Sequence, residues 1–262
     1  MRHASIVPRV LPVVTALALL NLLATIPATA AVLDVPGAFP TIQGAINAAS
    51  DGDTVRVAPG LYSELIDFLG KNIVVESTSG AAVTIVDGHD AGTVVTIDAA
   101  ADETPTLRGF TIRGGYGIGF GGGGMLLFGG PALVEANIIG GNSGCPGGIA
   151  ASFSTATIRD NVISDNRPNC TGGSGGGINI GGAGAVQLLN NLIARNLSGF
   201  DGHGVSLFAA GSPVISGNII IDNGSPSAGG SGGGIVIYNA SDALISNNVI
   251  ARNQAFSGGG IF

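Results

Sequence analysis

The sequence predicts an all-β chain wound as a parallel β-helix, a solenoid of about seven coils behind a short N-terminal capping helix. Three observations predict it. The pattern N-x-I-x-x-N recurs in register as NIIGGN from Asn137, NVISDN from Asn161, NLIARN from Asn191, NIIIDN from Asn218 and NVIARN from Asn248, with a degenerate copy, FTIRGG, from Phe110. The copies stand about 24 to 30 residues apart, the period of stacked repeats rather than of a compact globule. Composition agrees: 46 of 262 residues are Gly without a period of three, and a hydrophobic content of 45% argues against disorder.

Residues 1–30 read as a signal peptide. Arg2, His3 and Arg9 make a basic start, VLPVVTALALLNLLATI is an apolar run, and Ala28-Thr29-Ala30 supplies a small-x-small cleavage pattern before Ala31. Pro12 and Asn21 break the run, which argues against a membrane anchor, and no later stretch is apolar enough to span a bilayer. The mature chain, roughly 31–262, is expected to be secreted, at the cell surface or in a periplasm. A net charge of −7 argues against nucleic acid or an anionic membrane surface as a partner.

Residues 31–53 are expected to form the cap. Ile42, Ala45, Ile46 and Ala49 make the stripe of an amphipathic helix, with Pro40 and Thr41 at its first turn and Asp51-Gly52-Asp53 ending it. Residues 54–262 then carry the coils. They begin with a strand at Thr54–Val57, a turn at Pro59–Tyr62, and strand-like stretches at Ile66–Phe68 and Asn72–Val75. A helix over the first coil would shield apolar core and unpaired strand edges. The chain stops at Gly260-Ile261-Phe262, the start of another coil, so a truncated solenoid is expected, with self-association through the open last coil.

The run PTIQGAINAASDGDTVRVAPGLYSELIDF from Pro40 resembles the opening of secreted right-handed parallel β-helix proteins of the pectin-lyase-like superfamily, and the later GGGI and N-x-I-x-x-N elements are similar to its repeats. The resemblance covers essentially the whole mature chain. It implies the right-handed fold, which crossover chirality also favours. It implies no single activity, because that superfamily holds lyases, esterases, hydrolases, epimerases and proteins without known chemistry.

Stacking the repeats at about 4.8 Å per layer makes each column readable. Ile112, Ile139, Ile163, Ile193, Ile220 and Ile250 form one aliphatic column, and Leu107, Val134, Ile158, Leu188, Ile215 and Ile245 a second. Asn137, Asn161, Asn191, Asn218 and Asn248 are expected to form a ladder of amides along an inner turn, each bonding the next. Asp165, Arg195, Asp222 and Arg252 alternate in sign from layer to layer, as do Arg108, Glu135 and Arg159, so these seven charges have a pairing role. Cys145 and Cys170 follow Asn142 and Asn166 at similar offsets, in matching loops of adjacent layers. They are expected to form a disulfide in an oxidising compartment.

Few residues are left for chemistry. The outward positions after each Gly-rich element, Leu126, Phe128, Ala150, Ser152, Asn179, Gly181, Ser206, Phe208, Val236 and Tyr238, include no acid or base, so a carboxylate pair for glycoside cleavage is missing there. Asp201-Gly202-His203-Gly204 resembles the Gly-His-Gly element of polygalacturonases, but the paired-aspartate elements of that family have no counterpart. Asp201 and His203 are therefore weak catalytic candidates, and His203 reads as loop variation beside Gly176 and Gly233. Asp87, His89 and Asp90 are weak metal candidates. Arg167-Pro168 resembles part of a pectate lyase signature without its second arginine. The GGSGGG stretches at 172–177 and 229–234 lack the aspartates of calcium-binding nonapeptides. The expectation is an exported, non-catalytic scaffold that contacts a polysaccharide or cell-surface glycan and needs no cofactor. The alternative is a lyase or glycoside hydrolase acting on acidic polysaccharide, and calcium enters only under it.

The register makes a direct prediction. Ile193→Asp places a charge inside an aliphatic column, whereas Asp222→Ala removes a surface partner, so the first lowers the urea midpoint far more than the second. Similar losses would overturn the register.

Overall fold

In the computed structural model, short strands and left-handed turns wind the chain into three parallel sheets. The structure describes residues 29–262 except 120, 171–173, 183, 225–229 and 240–241. Most of the expected leader therefore lies outside the described residues, as do parts of both GGSGGG stretches. Sheet A has nine strands, from Val32–Val35 to Leu244–Ser246. Sheet B has eight, from Gly60–Tyr62 to Val249–Ala251, and sheet C has seven, from Ile66–Asp67 to Ile235–Tyr238. All named pairings are parallel, and the result is a right-handed solenoid of about seven turns.

The only helix among the described residues, α1 (Ile42–Ala48), closes the first coil with Ile42, Ala45 and Ile46 buried. Its ends are bound by its own N-cap residue and by groups from the coil beneath. Thr41 Oγ1 accepts from the Gly44 amide, and the Glu64 carboxylate accepts from the Ile42 and Gln43 amides at 3.0 and 2.9 Å. Lys71 Nζ donates to the carbonyls of Ile46, Asn47 and Ala49. An anion at the N-terminus and a cation at the C-terminus both suit the helix dipole. A strand at Val32–Val35 precedes the helix and pairs with Thr54–Val57, so sheet A starts before the cap. Gly60–Tyr62, expected as a turn, is instead a sheet B strand paired with Thr84–Val86.

Each N-x-I-x-x-N motif is a three-residue sheet B strand held between two tight corners. The residue before each opening Asn (Ala136, Asp160, Asn190, Gly217, Asn247) has positive φ. So does the residue before each closing Asn (Gly141, Asp165, Arg195, Asp222, Arg252). The reversed turn sends the next side chain inward, and the ten asparagines form two ladders. In the expected ladder, Asn161 Nδ2 donates to Asn191 Oδ1 at 3.1 Å and to the Val134 carbonyl at 2.9 Å. Its Oδ1 accepts from the backbone amide and Nδ2 of Asn137. The closing residues Asn142, Asn166, Asn196, Asn223 and Asn253 repeat this arrangement as a second ladder. Both donors and both acceptor positions of an interior amide are used, which is what makes its burial tolerable. At the degenerate first copy, Phe110 and Gly115 replace the asparagines, and their backbone amides donate to Asn137 and Asn142.

Ile112, Ile139, Ile163, Ile193 and Ile220 are fully buried in one column and Leu107, Val134, Ile158, Leu188 and Ile215 in another. Ile245 and Ile250, in the last layer, are half-buried. The charge columns pair as their alternation implies. Arg195 makes a two-pronged bond to Asp165 at 2.9 and 2.7 Å, and Arg252 does the same to Asp222. The other column is longer than its three expected members, running Asp34, Arg56, Glu76, Arg108, Glu135, Arg159 through six layers of sheet A. Cys145 and Cys170 are disulfide-bonded, with their Cα atoms 6.3 Å apart.

The left-handed turns generate a second test. Arg195 has φ 56°, where a non-glycine residue loses roughly 1–2 kcal/mol. Its pair with Asp165 is half-exposed and worth about 0–1 kcal/mol. Arg195→Asn, which tolerates the turn, is expected to unfold at the same or a higher urea concentration than the wild type. A clear drop in midpoint would show that the ion pair outweighs the strain.

Candidate functional site

A groove of about 960 Å³ runs along the outward face of sheet C. Its floor is the column Leu126, Ala150, Asn179, Ser206 with its neighbours Phe128, Ser152, Gly181 and Phe208, all in parallel register. Its wall is made of three successive loops. Tyr116 and Gly117 bridge to Ser143, and Ser143–Gly144 pairs with Arg167–Pro168. Asn169 Nδ2 reaches across two layers to the Gly117 carbonyl at 2.8 Å, and the Cys145–Cys170 disulfide staples the two later loops. None of the described residues that line the groove carries a charge.

The expected outward positions do point outward, but Ala150, Ser206 and Val236 are buried rather than exposed. The Gly-rich loops fold back over them. Gly202, at φ 61°, shows why glycine is required: a Cβ there would lie 2.6 Å from Val236 Cγ1 and 2.9 Å from Ser206 Cβ. The face also extends further towards the N-terminus than the sequence reading followed it. Thr96 and Asp98 pair with Leu126 and Phe128, and Asp67 pairs with Thr96, so exposed carboxylates lie beyond the groove's end.

Asp201 and His203 are both buried, each in a structural bond of its own. Asp201 accepts from the Ser231 amide at 2.5 Å and from the Tyr238 hydroxyl at 3.0 Å. His203 Nδ1 accepts from the Ser198 amide at 2.9 Å, which places the ring proton on Nε2. That Nε2 has no partner among the described residues, and no hydrogen bond joins His203 to Asp201 there. Burial lowers the imidazole below its ordinary 6.5, against a smaller opposing pull from Asp201. His203 stacks between Gly176 and Gly233, as the repeat alignment places it.

Asp87, His89 and Asp90 share a turn, but their side chains do not converge as a ligand set. Asp87 bonds Arg113 Nε at 2.8 Å and accepts from the His89 amide, while His89 Nε2 pairs with Ser63 Oγ at 2.8 Å. Burial raises the Asp87 carboxyl, but the His89 amide and Arg113 together outweigh it, and the net shift is downward. No group of three or more metal-ligating side chains stands among the described residues. The layers of Ile112, Ile139 and Ile163 separate this turn from the coil that leads to Asp201. Arg167 forms part of the loop ladder and is exposed.

Sequence reasoning missed the groove's wall and its most exposed aromatic on the strand side, Phe153. Strand alternation places Phe153 inward after Ser152; instead a φ of 54° swings it out. Its ring centroid lies 6.1 Å from that of Phe128, edge to face.

Residues 94–262 match the family model described as right handed beta helix region. Neither a curated protein nor a solved structure matches the chain.

His203 sets a pH dependence. The unfolded chain protonates this imidazole near 6.5, and the folded chain only at lower pH. The contribution of neutral His203 is therefore complete above 6.5 and is lost as pH falls through that value towards the folded one. Urea midpoints measured from about pH 7.5 down to about pH 5 should fall more steeply for the wild type than for His203→Gln. Parallel curves would show that this side chain is not what senses pH.

Proposed function

We infer that this chain, which belongs to the right-handed β-helix family, is an exported, non-catalytic scaffold that presents its sheet C groove to glycans. The observation that carries the reading is the uncharged lining of that groove. Lyase and hydrolase chemistry on acidic polysaccharide needs acids, bases and cations within hydrogen-bond reach of one scissile bond. Here the arginines of sheets A and B are bound to Asp34, Glu76, Asp87, Glu135, Asp165 and Asp222, Asp201 is bonded to Ser231 and Tyr238 of the next coil, and His203 is bonded to Ser198. The Cys145–Cys170 disulfide and the leader-like start support export.

The mature protein is expected to release no product from polygalacturonate or methylated pectin, with or without calcium. Turnover abolished by His203→Ala would overturn the scaffold reading and establish the hydrolase.

A further inference from the structure

Phe153 occupies a place where its chemistry is hard to explain by folding. In register with it, at or just after the ends of four other sheet C strands, stand Gly129, Gly182, Ala209 and Asn239, and all share its positive φ. A bulky aromatic is an outlier in that region, since its Cβ crowds the backbone. Burial does not compensate: the residue is 63% exposed. The neighbouring layer nevertheless makes room for the ring. A Cβ at Gly182 would approach Phe153 Cδ1 to 2.7 Å, so a glycine is needed where the ring lies across the next coil. Together with the edge-to-face contact to Phe128, the ring is held in a fixed attitude at the groove's rim. Strain kept at an exposed, positioned side chain points towards function.

We propose that Phe153 and Phe128 form a stacking platform for an uncharged polysaccharide lying along the solenoid axis. The proposal rests on the reading that the groove binds glycan, and it names which kind. Phe208 stands three layers beyond Phe128 in the same column, with Ser152 and Gly181 between them. At the usual strand spacing this leaves a depression about 14 Å long between aromatic walls. Sugar rings offer C–H faces to aromatics and hydroxyl edges to polar groups. The groove supplies both, because Asn179, Asn169 and Ser152 are interspersed with the rings. Asn169 and Asn179 each donate to a backbone carbonyl of the protein, so what a lipid chain would bury unpaired is the Asn179 carbonyl oxygen and the Ser152 hydroxyl. A polyanion meets no cation among the described lining residues, faces exposed Asp98 beside Phe128, and approaches a chain of net charge −7.

The test combines affinity electrophoresis with urea unfolding of the mature protein. The gels contain xylan, galactan, mannan, a soluble cellulose ether or polygalacturonate. Retardation by at least one neutral polymer and none by polygalacturonate is expected. Phe153→Asn is expected to weaken that retardation about tenfold, as loss of one aromatic anchor does, while its urea midpoint stays level or rises. Phe128→Ala should also weaken retardation, whereas Ile219→Ala, on the outer face of sheet B, should not. Three results would each overturn the proposal: no retardation by any of the neutral polymers, equal or stronger retardation by polygalacturonate, or wild-type retardation of Phe153→Asn. The two readings fail separately. Product release together with weakened retention by Phe153→Asn overturns the non-catalytic reading and supports the platform.

Discussion

Two files of buried amides set the geometry on which the rest of this molecule depends. A side-chain amide inside a protein is costly unless all its donors and acceptors are used. In this chain that condition is met only when identical residues stand directly above one another. Asn166 illustrates the requirement. It donates to Asn196 Oδ1 and to the Ile139 carbonyl, and accepts from the amide and Nδ2 of Asn142. Slip the layer by one residue and each of these groups is orphaned, at about 1–3 kcal/mol apiece. The corners before each Asn must therefore be left-handed, and the sheet B strand between them has room for only three residues. Variation in coil length is pushed to the side of the molecule that carries the loops, and the groove is there.

Much of this was legible because the period of the repeat turns sequence position into spatial position. Once Asn137 and Asn161 are aligned, the columns of Ile139 and Val134, the alternation of Asp165 with Arg195 and the matching loops of Cys145 and Cys170 follow by translation. The closing ladder was harder to read, although Asn142 and Asn166 stand in the same motif. Its inward direction depends on a positive φ at Gly141 and Asp165, which residue type alone does not specify. The charge column was recognised only from Arg108 onwards, because Asp34, Arg56 and Glu76 lie before the motif begins and offer no frame for alignment. Phe153 was missed for a related reason. Strand alternation is a two-residue rule, and one left-handed residue after Ser152 breaks it.

The same logic explains why the charges of the strand faces stand in pairs. Stacked layers bring like residues together, so an unpaired charge on one coil meets its neighbour's at about 4.8 Å. Selection for folding then favours alternation, and the arginines and carboxylates so arranged are occupied. From Leu126 to Tyr238, sheet C escapes this constraint because its outward positions are uncharged. It is the face with most freedom to vary without disturbing either ladder.

Because each asparagine bonds only to the layer immediately before and after it, a whole coil is a self-consistent unit of exchange. Successive layers are separated by 24, 30, 27 and 30 residues, yet every junction has the same bonds. Duplicating one coil, or excising one, would leave no amide unmatched at the seam, since the new neighbours present the same groups at the same height. The solenoid is thus a ruler that can gain or lose divisions by recombination. The length of its faces can change in steps of one strand spacing while the chemistry of each division stays as it was.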